Sequence, residues 1–167
     1  VRGPGARGLL VAIFLRAAGA EVHLMGATDA SLSFARDLGF RHVWPEDSVP
    51  DLPFDAVVDA SNADRLPGRA VELVEPSGRV VYIGLASGPS RIDTRALVLK
   101  DVTAVGILSG SPGLEATIRA YADGTVDPRP LIAATVGLDQ VGPVLAGERP
   151  AGAGPGPKIH ADPRLGP

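Results

Sequence analysis

Three glycines near the start of the chain have the spacing of a phosphate-binding turn. Gly3, Gly5 and Gly8 fit the pattern G-x-G-x-x-G. The first glycine of such a turn permits a tight bend after a strand, the second lets a pyrophosphate approach the backbone, and the third lets the next helix pack closely on the strand. The free N–H groups of Ala6 and Arg7 would face the phosphates at the positive end of that helix. The pattern therefore predicts a dinucleotide site, although a ligand-free glycine turn or a methyltransferase of the same layout would also show it.

The residue that follows the strand predicted at residues 21–25 bears on which dinucleotide would bind. A carboxylate there usually binds the ribose 2′-hydroxyl, but this chain has Gly26, followed by Ala27 and Thr28. The missing carboxylate removes a repulsion that a 2′-phosphate would feel, and Thr28 could donate a hydrogen bond to that phosphate. The negative charge of Asp29 would disfavour a 2′-phosphate, and no arginine follows immediately to bind that phosphate. NADP is slightly favoured over NAD. The alternative is that residues 26–29 form only a loop, with Asp29 as the N-cap of the next helix.

The elements that must position these residues alternate between strands and helices. Apolar runs bounded by glycine, proline and helix-capping residues predict both kinds of element. Strands are predicted at residues 21–25, 42–44, 55–59, 79–84, 102–106, 131–136 and 159–160, and helices at residues 9–18, 30–38, 64–73, 93–99, 114–121 and 138–145. Such alternation is typical of βαβ units. The predicted fold class is therefore α/β, a Rossmann-type doubly wound parallel sheet with helices on both faces.

Composition narrows the possible functions further. The chain has 167 residues, a formal net charge of -3 and no cysteine. With no basic cluster, we expect no nucleic-acid partner, and without cysteine the chain has no disulfides, thiolate zinc sites or cysteine nucleophiles. The first 21 residues resemble a secretory signal, but Arg16 cuts the apolar stretch short. No other run is long enough to span a bilayer. We therefore expect a soluble, cytoplasmic protein with no membrane partner.

The sequence predicts no catalytic and no metal-binding residue. His23, His42 and His160 lie in or beside predicted strands without a second ligand at metal spacing, so a structural role is the favoured interpretation. Tyr82 and Tyr121 lack a lysine four residues later, and no nucleophile elbow accompanies a Ser-His-Asp order. Any chemistry in which the chain takes part would therefore need groups from elsewhere.

Several segments of the chain together form a characteristic ordered set that extends to about residue 161. The segments are GAEV at 19–22, FARDLG at 34–39, FDAVVDAS at 54–61, LVEPSGRVVYIGL at 73–85, LKDVTAVG at 99–106 and PKIH at 157–160. In this order they resemble the coenzyme-binding half of the medium-chain dehydrogenase/reductase superfamily, which includes the zinc-type alcohol dehydrogenases. The resemblance implies that further residues contact the cofactor. They are Ala60, Ser61 and Asn62 beside a ribose, Gly84 and Leu85 along the nicotinamide, Gly106, Ile107 and Leu108 near its carboxamide, and Lys158 facing the pyrophosphate.

The resemblance also implies an activity and a domain organisation. It implies an NAD(P)-dependent oxidoreductase that transfers hydride between nicotinamide and an alcohol or carbonyl substrate. Residues 1–135 would form the dinucleotide-binding domain, with only Val1 and Arg2 left of its first strand, and residues 136–167 would return to an absent N-terminal catalytic domain. Zinc is possible only in that domain, and a homodimer could form through the sheet edge. A non-catalytic dinucleotide-binding module and an S-adenosylmethionine-dependent methyltransferase remain alternatives.

Overall fold

Strands and helices alternate along the chain, as the sequence predicts. The structure, a computed structural model, describes residues 1–166; Pro167, the last residue of the predicted 136–167 segment, lies outside the described residues. The helices are α1 (Ala6–Ala17), α2 (Asp29–Asp37), α3 (Leu66–Leu73), α4 (Thr94–Leu99), α5 (Leu114–Ala122) and α6 (Val141–Leu145). The strands are β1 (His23–Gly26), β2 (His42–Pro45), β3 (Phe54–Asp59), β4 (Val74–Tyr82), β5 (Thr103–Gly106), β6 (Ile132–Val136) and β7 (Lys158–Ala161). Within residues 1–166, no helix combines the length and apolar character needed to cross a membrane.

Val1 and Arg2 join two parallel groups of strands into one sheet. The Arg2 N–H donates to the Val58 carbonyl at 2.8 Å, and the Met25 N–H donates to the Val1 carbonyl at 2.9 Å. Arg2 thus bridges β1 and β3 in parallel orientation. The strand order is β2, β1, residues 1–2, β3, β4 and β5, with parallel pairing throughout. Because the order reverses on either side of residues 1–2, the sheet is doubly wound, and the predicted fold class is confirmed.

Helices pack on both faces of this sheet. Val57 and Val58 are adjacent in β3 and therefore point to opposite faces. Val57 is buried in a cluster with Ala70 of α3, whereas Val58 packs against a cluster that contains Leu9 of α1 and Leu32 of α2. Adjacent residues of one strand thus contact helices on the two sides of the sheet.

The last two strands form a separate sheet. β6 and β7 pair in parallel, in a two-stranded sheet of their own. The predicted division after residue 135 falls within β6, and it remains a prediction. Val126 and Leu131, which precede β6, are buried in the core cluster that includes α1. This packing places the second sheet beside α1.

Thr28, and not Asp29, caps helix α2. The Thr28 hydroxyl oxygen accepts a hydrogen bond from the Ser31 N–H at 3.4 Å, and the Ser31 hydroxyl donates to the Thr28 carbonyl at 2.8 Å. Asp29 is already the first helical residue, where its negative charge is favourable to the helix dipole. The prediction of Asp29 as N-cap is wrong because the extended backbone conformation that a cap requires occurs one residue earlier.

Ser77 has a left-handed backbone conformation that favours glycine. Its φ is +63°, and its N–H donates to the Lys100 carbonyl at 2.6 Å. We expect Ser77→Gly to raise the free energy of unfolding by about 0.5–1 kcal/mol, because relief of the side-chain clash exceeds the entropy gained by the unfolded chain. Urea unfolding measures this change. The control is Ser87→Gly at an exposed serine without a positive φ, which should not stabilise. Equal effects of both substitutions would contradict the prediction.

Candidate functional site

Each glycine of the turn after residues 1–2 has a distinct geometric role. Gly3 has a φ of +80°, and a Cβ there would lie 3.0 Å from the Ser61 nitrogen. A Cβ on Gly8 would overlap the Gly3 carbonyl oxygen, so only glycine lets α1 pack this closely. A Cβ on Gly5 would meet nothing within 4 Å. The Gly5 backbone therefore borders open space that a ligand can enter.

The first turn of α1 presents unpaired N–H groups beside that space. Gly5 is the N-cap residue, and no side chain caps the helix. Within the described residues, the Leu9 N–H is the first along α1 to reach a backbone carbonyl, that of Gly5, at 2.9 Å. The N–H groups of Ala6, Arg7 and Gly8 are thus left for a ligand at the positive end of the helix dipole. This arrangement favours an anion such as a phosphate.

Asp59 connects the loop after β3 to the end of β4. Its Oδ1 accepts hydrogen bonds from the Ser61 N–H at 3.0 Å and from the Ser61 hydroxyl at 2.6 Å. Its backbone carbonyl accepts from the N–H groups of Ile83 and Gly84, both at 2.9 Å. A Cβ on Gly84 would overlap the Ser61 carbonyl oxygen. The predicted residues Ser61 and Gly84 are thus held in close contact.

Arg7 extends this connection to α1. Its Nη1 donates to the Ile83 carbonyl at 3.0 Å, although 76 positions separate the two residues. The side chain is exposed and reaches from the first turn of α1 to the carboxyl end of β4. It places a positive charge at the edge where the strands end.

Most of the other predicted residues lie at the same edge of the sheet. Gly26 ends β1, and a Cβ there would lie 2.7 Å from Pro4 Cγ. Gly106 ends β5, and the Ile107 N–H donates to the Tyr82 carbonyl at 2.9 Å. Other predicted residues at this edge follow the strand ends in the chain: Ala27, Thr28, Ala60, Asn62, Leu85 and Leu108. Because the Thr28 hydroxyl already donates to Ser31 Oγ at 2.9 Å, its predicted bond to a 2′-phosphate would compete with the helix cap.

Lys158 lies apart from these strand ends. It begins β7, in the second sheet. There it lines a pocket of about 370 Å³ together with Ala6 and Arg7 of the first turn of α1. The structure therefore brings Lys158 to the start of α1 and not to the loops after β3, β4 and β5.

A buried arginine lies under the turn, and the sequence analysis assigned it no role. Arg2 is 0% exposed and forms an ion pair with Glu46. Burial lowers the pKa of Arg2 to about 10, while the charge of Asp59 acts in the opposite direction. Arg2 and Glu46 border a cavity of about 1260 Å³, which also contacts Asp64 and Arg65 just after the Ser61 loop. Two residues that line the cavity thus follow the predicted site residues Ser61 and Asn62 closely in the sequence.

The Tyr82 side chain has a structural role, because it links β4 to α3. Its hydroxyl donates to the Pro67 carbonyl in α3 at 3.0 Å. Burial, and to a smaller extent the charge of Asp59, raises the pKa of Tyr82. The Tyr82 hydroxyl therefore stays protonated and hydrogen-bonded to α3. A hydroxyl in this state does not suit a proton relay.

The structure brings together a histidine cluster that sequence spacing did not reveal. Ligand atoms of Glu21, His23 and His42 lie within 4.8 Å of one another. His23 Nδ1 accepts from the Trp44 Nε1–H at 3.0 Å, so its Nε2 carries the proton and donates to Glu21 at 2.9 Å. The two imidazole rings stack at 4.4 Å with 7° between their planes, and both nitrogens of the His23 ring are already engaged by Trp44 and Glu21. This geometry is that of a hydrogen-bonded stack. The cluster forms because His23 and His42 are paired as the first residues of the parallel strands β1 and β2, a register that the sequence does not show.

Comparison with known proteins finds a family whose model matches most of the chain. A family model described as zinc-binding dehydrogenase matches residues 7–123, more than two thirds of the chain. The chain belongs to the zinc-binding dehydrogenase family. The family resemblance predicted from the sequence is therefore confirmed.

This zinc-binding dehydrogenase chain is similar to curated proteins and, in fold, to solved structures, two of which are complexed with NADH or NADPH. It is 30% identical to ribulose-5-phosphate reductase 2 from Staphylococcus aureus over 125 residues, which are 71% of the chain and 36% of the relative. A short chain alcohol dehydrogenase from E. coli CFT073, complexed with NADH, has a TM-score of 0.78 and 20% identity, over 92% of this chain and 49% of that one. TarJ from S. aureus, complexed with NADPH, has a TM-score of 0.72 and 21% identity, over 87% and 48%. The chain spans less than half the length of the curated relatives it matches.

Proposed function

We propose that this chain binds a nicotinamide dinucleotide and serves as the cofactor-binding part of an NAD(P)-dependent oxidoreductase. The observation that carries the proposal is the open backbone at Gly5 beside the uncapped first turn of α1. Unpaired N–H groups at a helix N-terminus suit a pyrophosphate, and an exposed glycine lets it approach. The NADH and NADPH complexes of structurally similar proteins support the same ligand class.

The other predicted residues would orient the two halves of the cofactor. The loop after β3, fixed by Asp59, offers Ser61 and Asn62 to a ribose, and the adjoining cavity has room for an adenosine. Gly84, with Leu85 beside it, and the exposed residues after β5 would border the nicotinamide. The bound cofactor supplies the hydride chemistry, and this chain contributes orientation and electrostatics.

We propose an alcohol or carbonyl substrate, bound between this domain and an N-terminal catalytic domain that would hold any zinc. Residues 136–167 would pack on that domain. β5 forms one edge of the main sheet, and all four of its residues are exposed. An exposed strand edge can pair with a second copy of the chain, which supports a homodimer.

We propose NADP(H) as the preferred dinucleotide, because the end of β1 carries no carboxylate. Ala27 is exposed directly after β1, so Ala27→Asp would place a carboxylate at this position. We expect it to weaken NADPH binding at least about tenfold and NADH binding less than about threefold, because a carboxylate repels a 2′-phosphate and accepts from a 2′-hydroxyl. Titration with each cofactor measures both dissociation constants. Ser33→Asp, at an exposed residue further along α2, is the control. Equal losses for NADPH and NADH would contradict the preference.

A three-ligand titration tests the proposed function. The purified chain is titrated with NADPH, NADH and S-adenosylmethionine while its melting temperature is followed. The proposal predicts a rise with NADPH, since a ligand that binds only the folded state stabilises it. Stabilisation by S-adenosylmethionine alone would indicate a methyltransferase and contradict the proposal. Binding without any turnover once the catalytic domain is supplied would instead indicate a non-catalytic dinucleotide-binding module.

A further inference from the structure

A buried histidine in the hydrogen-bonded stack has no role in the proposed function. His23, the first residue of β1, is 7% exposed. Its ring stacks on that of His42 with 4.4 Å between the ring centres, and the Phe54 ring lies nearly perpendicular to it at 5.2 Å. Nδ1 accepts a hydrogen bond from Trp44 Nε1 at 3.0 Å, and Nε2 donates to the Glu21 carboxylate at 2.9 Å. The ring is therefore enclosed, and both of its nitrogens are bonded.

The Trp44 hydrogen bond requires a neutral His23 ring. An indole N–H can only donate, and a protonated imidazole donates from both nitrogens. A proton on Nδ1 of His23 would therefore point at the Trp44 N–H, and neither group would have an acceptor there. At Nε2 the effect is the opposite, because a positive ring forms a stronger, charge-assisted hydrogen bond with the Glu21 carboxylate. Protonation thus breaks one of the two bonds and strengthens the other.

The titratable groups that face His23 come from three parts of the described chain. Glu21 precedes β1, and the hydrogen bond from His23 and the charge of His42 lower its pKa, so it is a carboxylate wherever histidine titrates. His42 of β2 would add a second positive charge to the stack when it is protonated. The Val1 amino group donates to the His23 carbonyl at 2.6 Å, and burial lowers its pKa to about 5. β3 contributes the uncharged ring of Phe54. Glu21 thus favours a proton on His23, and a charge on His42 opposes it.

The Trp44–His23 bond joins an edge strand to the main sheet. β2 is the outermost strand on its side and pairs with β1 through four residues. Within the described residues, the connection from β2 to β3 contains one short 3-10 helix, Glu46–Ser48, where parallel strands are usually joined through an α-helix. Glu46, which pairs with the buried Arg2, comes two residues after Trp44. The segment that the Trp44 bond holds in place therefore also carries the partner of Arg2.

We propose that the Trp44–His23 hydrogen bond is a pH-sensitive contact, formed when His23 is neutral and broken when it is protonated. The indole then moves away from Nδ1, and the His23–Glu21 bond remains. Because the gain at Glu21 offsets the loss at Trp44, the folded chain accepts the proton and rearranges locally at the edge strand. The contact lies at the amino end of β1, whereas the proposed dinucleotide site lies at the carboxyl ends of the strands.

Trp44 is the single tryptophan of the chain, so its signals report directly on the contact. The indole N–H resonance, the fluorescence emission and the NMR titration of the His23 ring are followed in the purified chain between about pH 8 and pH 5. We expect both Trp44 signals to change with the midpoint at which His23 takes up its proton, while far-UV circular dichroism stays constant. Glu21→Gln should move this midpoint to lower pH by at least about 0.5, because the carboxylate that favours the proton is gone.

A variant without a titratable ring tests the assignment to His23. In His23→Asn the amide oxygen lies near the position of Nδ1 and can still accept from Trp44, but it takes up no proton. We expect the pH-dependent change to disappear in this variant and to remain in His42→Gln. It should also remain in His160→Asn, the matched control at an exposed histidine of β7. Because Glu21 is exposed, Glu21→Gln keeps the fold and tests the same contact if His23→Asn does not fold.

Several results would overturn the proposal. Trp44 signals that stay constant over this pH range would show that no proton breaks the contact. A change that persists in His23→Asn, or disappears in His42→Gln, would assign the pH dependence to another group. A midpoint near pH 5 that Glu21→Gln leaves in place would assign it to the Val1 amino group. Loss of the circular dichroism signal together with the Trp44 change would indicate global unfolding instead of a local rearrangement.

Discussion

Gly8→Ala is expected to lower the free energy of unfolding by about 3 kcal/mol. The added Cβ would overlap the Gly3 carbonyl oxygen, and the sheet and α1 hold the backbones of both residues in place. Relief requires α1 to move away from the sheet, where Leu9 and Ala12 of that helix are fully buried. Overpacking of this kind costs about 1–3 kcal/mol and occasionally more. Urea unfolding, with midpoint and slope both fitted, measures the loss.

The neighbouring glycine provides the matched control. Gly5→Ala adds the same methyl group where nothing lies within 4 Å, and its φ of −81° suits alanine. We expect a stability change of no more than about 1 kcal/mol, because the weaker N-cap and the lower entropy of the unfolded chain act in opposite directions. Unfolding midpoints that agree for Gly8→Ala and Gly5→Ala would contradict the packing role assigned to Gly8.

Glu46→Gln is expected to destabilise the chain by about 3–5 kcal/mol. The side chains of Arg2 and Glu46 are only 1% and 8% exposed. Removing the carboxylate leaves a buried guanidinium without its ion-pair partner, and this cost exceeds the net contribution of most ion pairs. Two other nitrogens of Arg2, Nε and Nη1, already lack partners within the described residues. Denaturant unfolding at neutral pH measures the effect.

An exposed ion pair serves as the comparison. Arg119 and Glu115 of α5 are 67% and 82% exposed, and Glu115→Gln should cost less than about 0.5 kcal/mol. Arg2→Met combined with Glu46→Met should recover most of the stability, since apolar residues of similar volume often replace a buried pair without loss. If Glu46→Gln costs no more than Glu115→Gln, Arg2 does not depend on Glu46.

The order of strands and helices could be predicted because its signals are local. Gly19 and Gly39 directly follow the last turns of α1 and α2, both in left-handed conformations that glycine adopts easily. The apolar runs that became β3 and β5 differ from their predicted bounds by one residue each. Periodicity and end signals within a dozen residues therefore sufficed for the fold class.

The contacts within the site could not be predicted because they join distant segments. Asp59 holds Ser61 and the end of β4 through hydrogen bonds that depend on strand register, and strand register is not written in any one segment. The Arg2–Glu46 pair joins positions far apart in the chain. Even the α2 cap moved from Asp29 to Thr28, because both residue types can cap a helix and only the backbone conformation decides between them.

Calorimetric titration of NADPH into the wild-type chain and Gly5→Ala tests the central claim most directly. Gly5 borders open space in this structure, so its replacement leaves folding intact and obstructs only a ligand that approaches the backbone. The account predicts saturable NADPH binding to the wild type and at least about tenfold weaker binding to Gly5→Ala, because a methyl group would keep the pyrophosphate from the N–H groups of α1. Equal affinities in two chains with equal unfolding midpoints would show that the dinucleotide does not bind at the glycine turn.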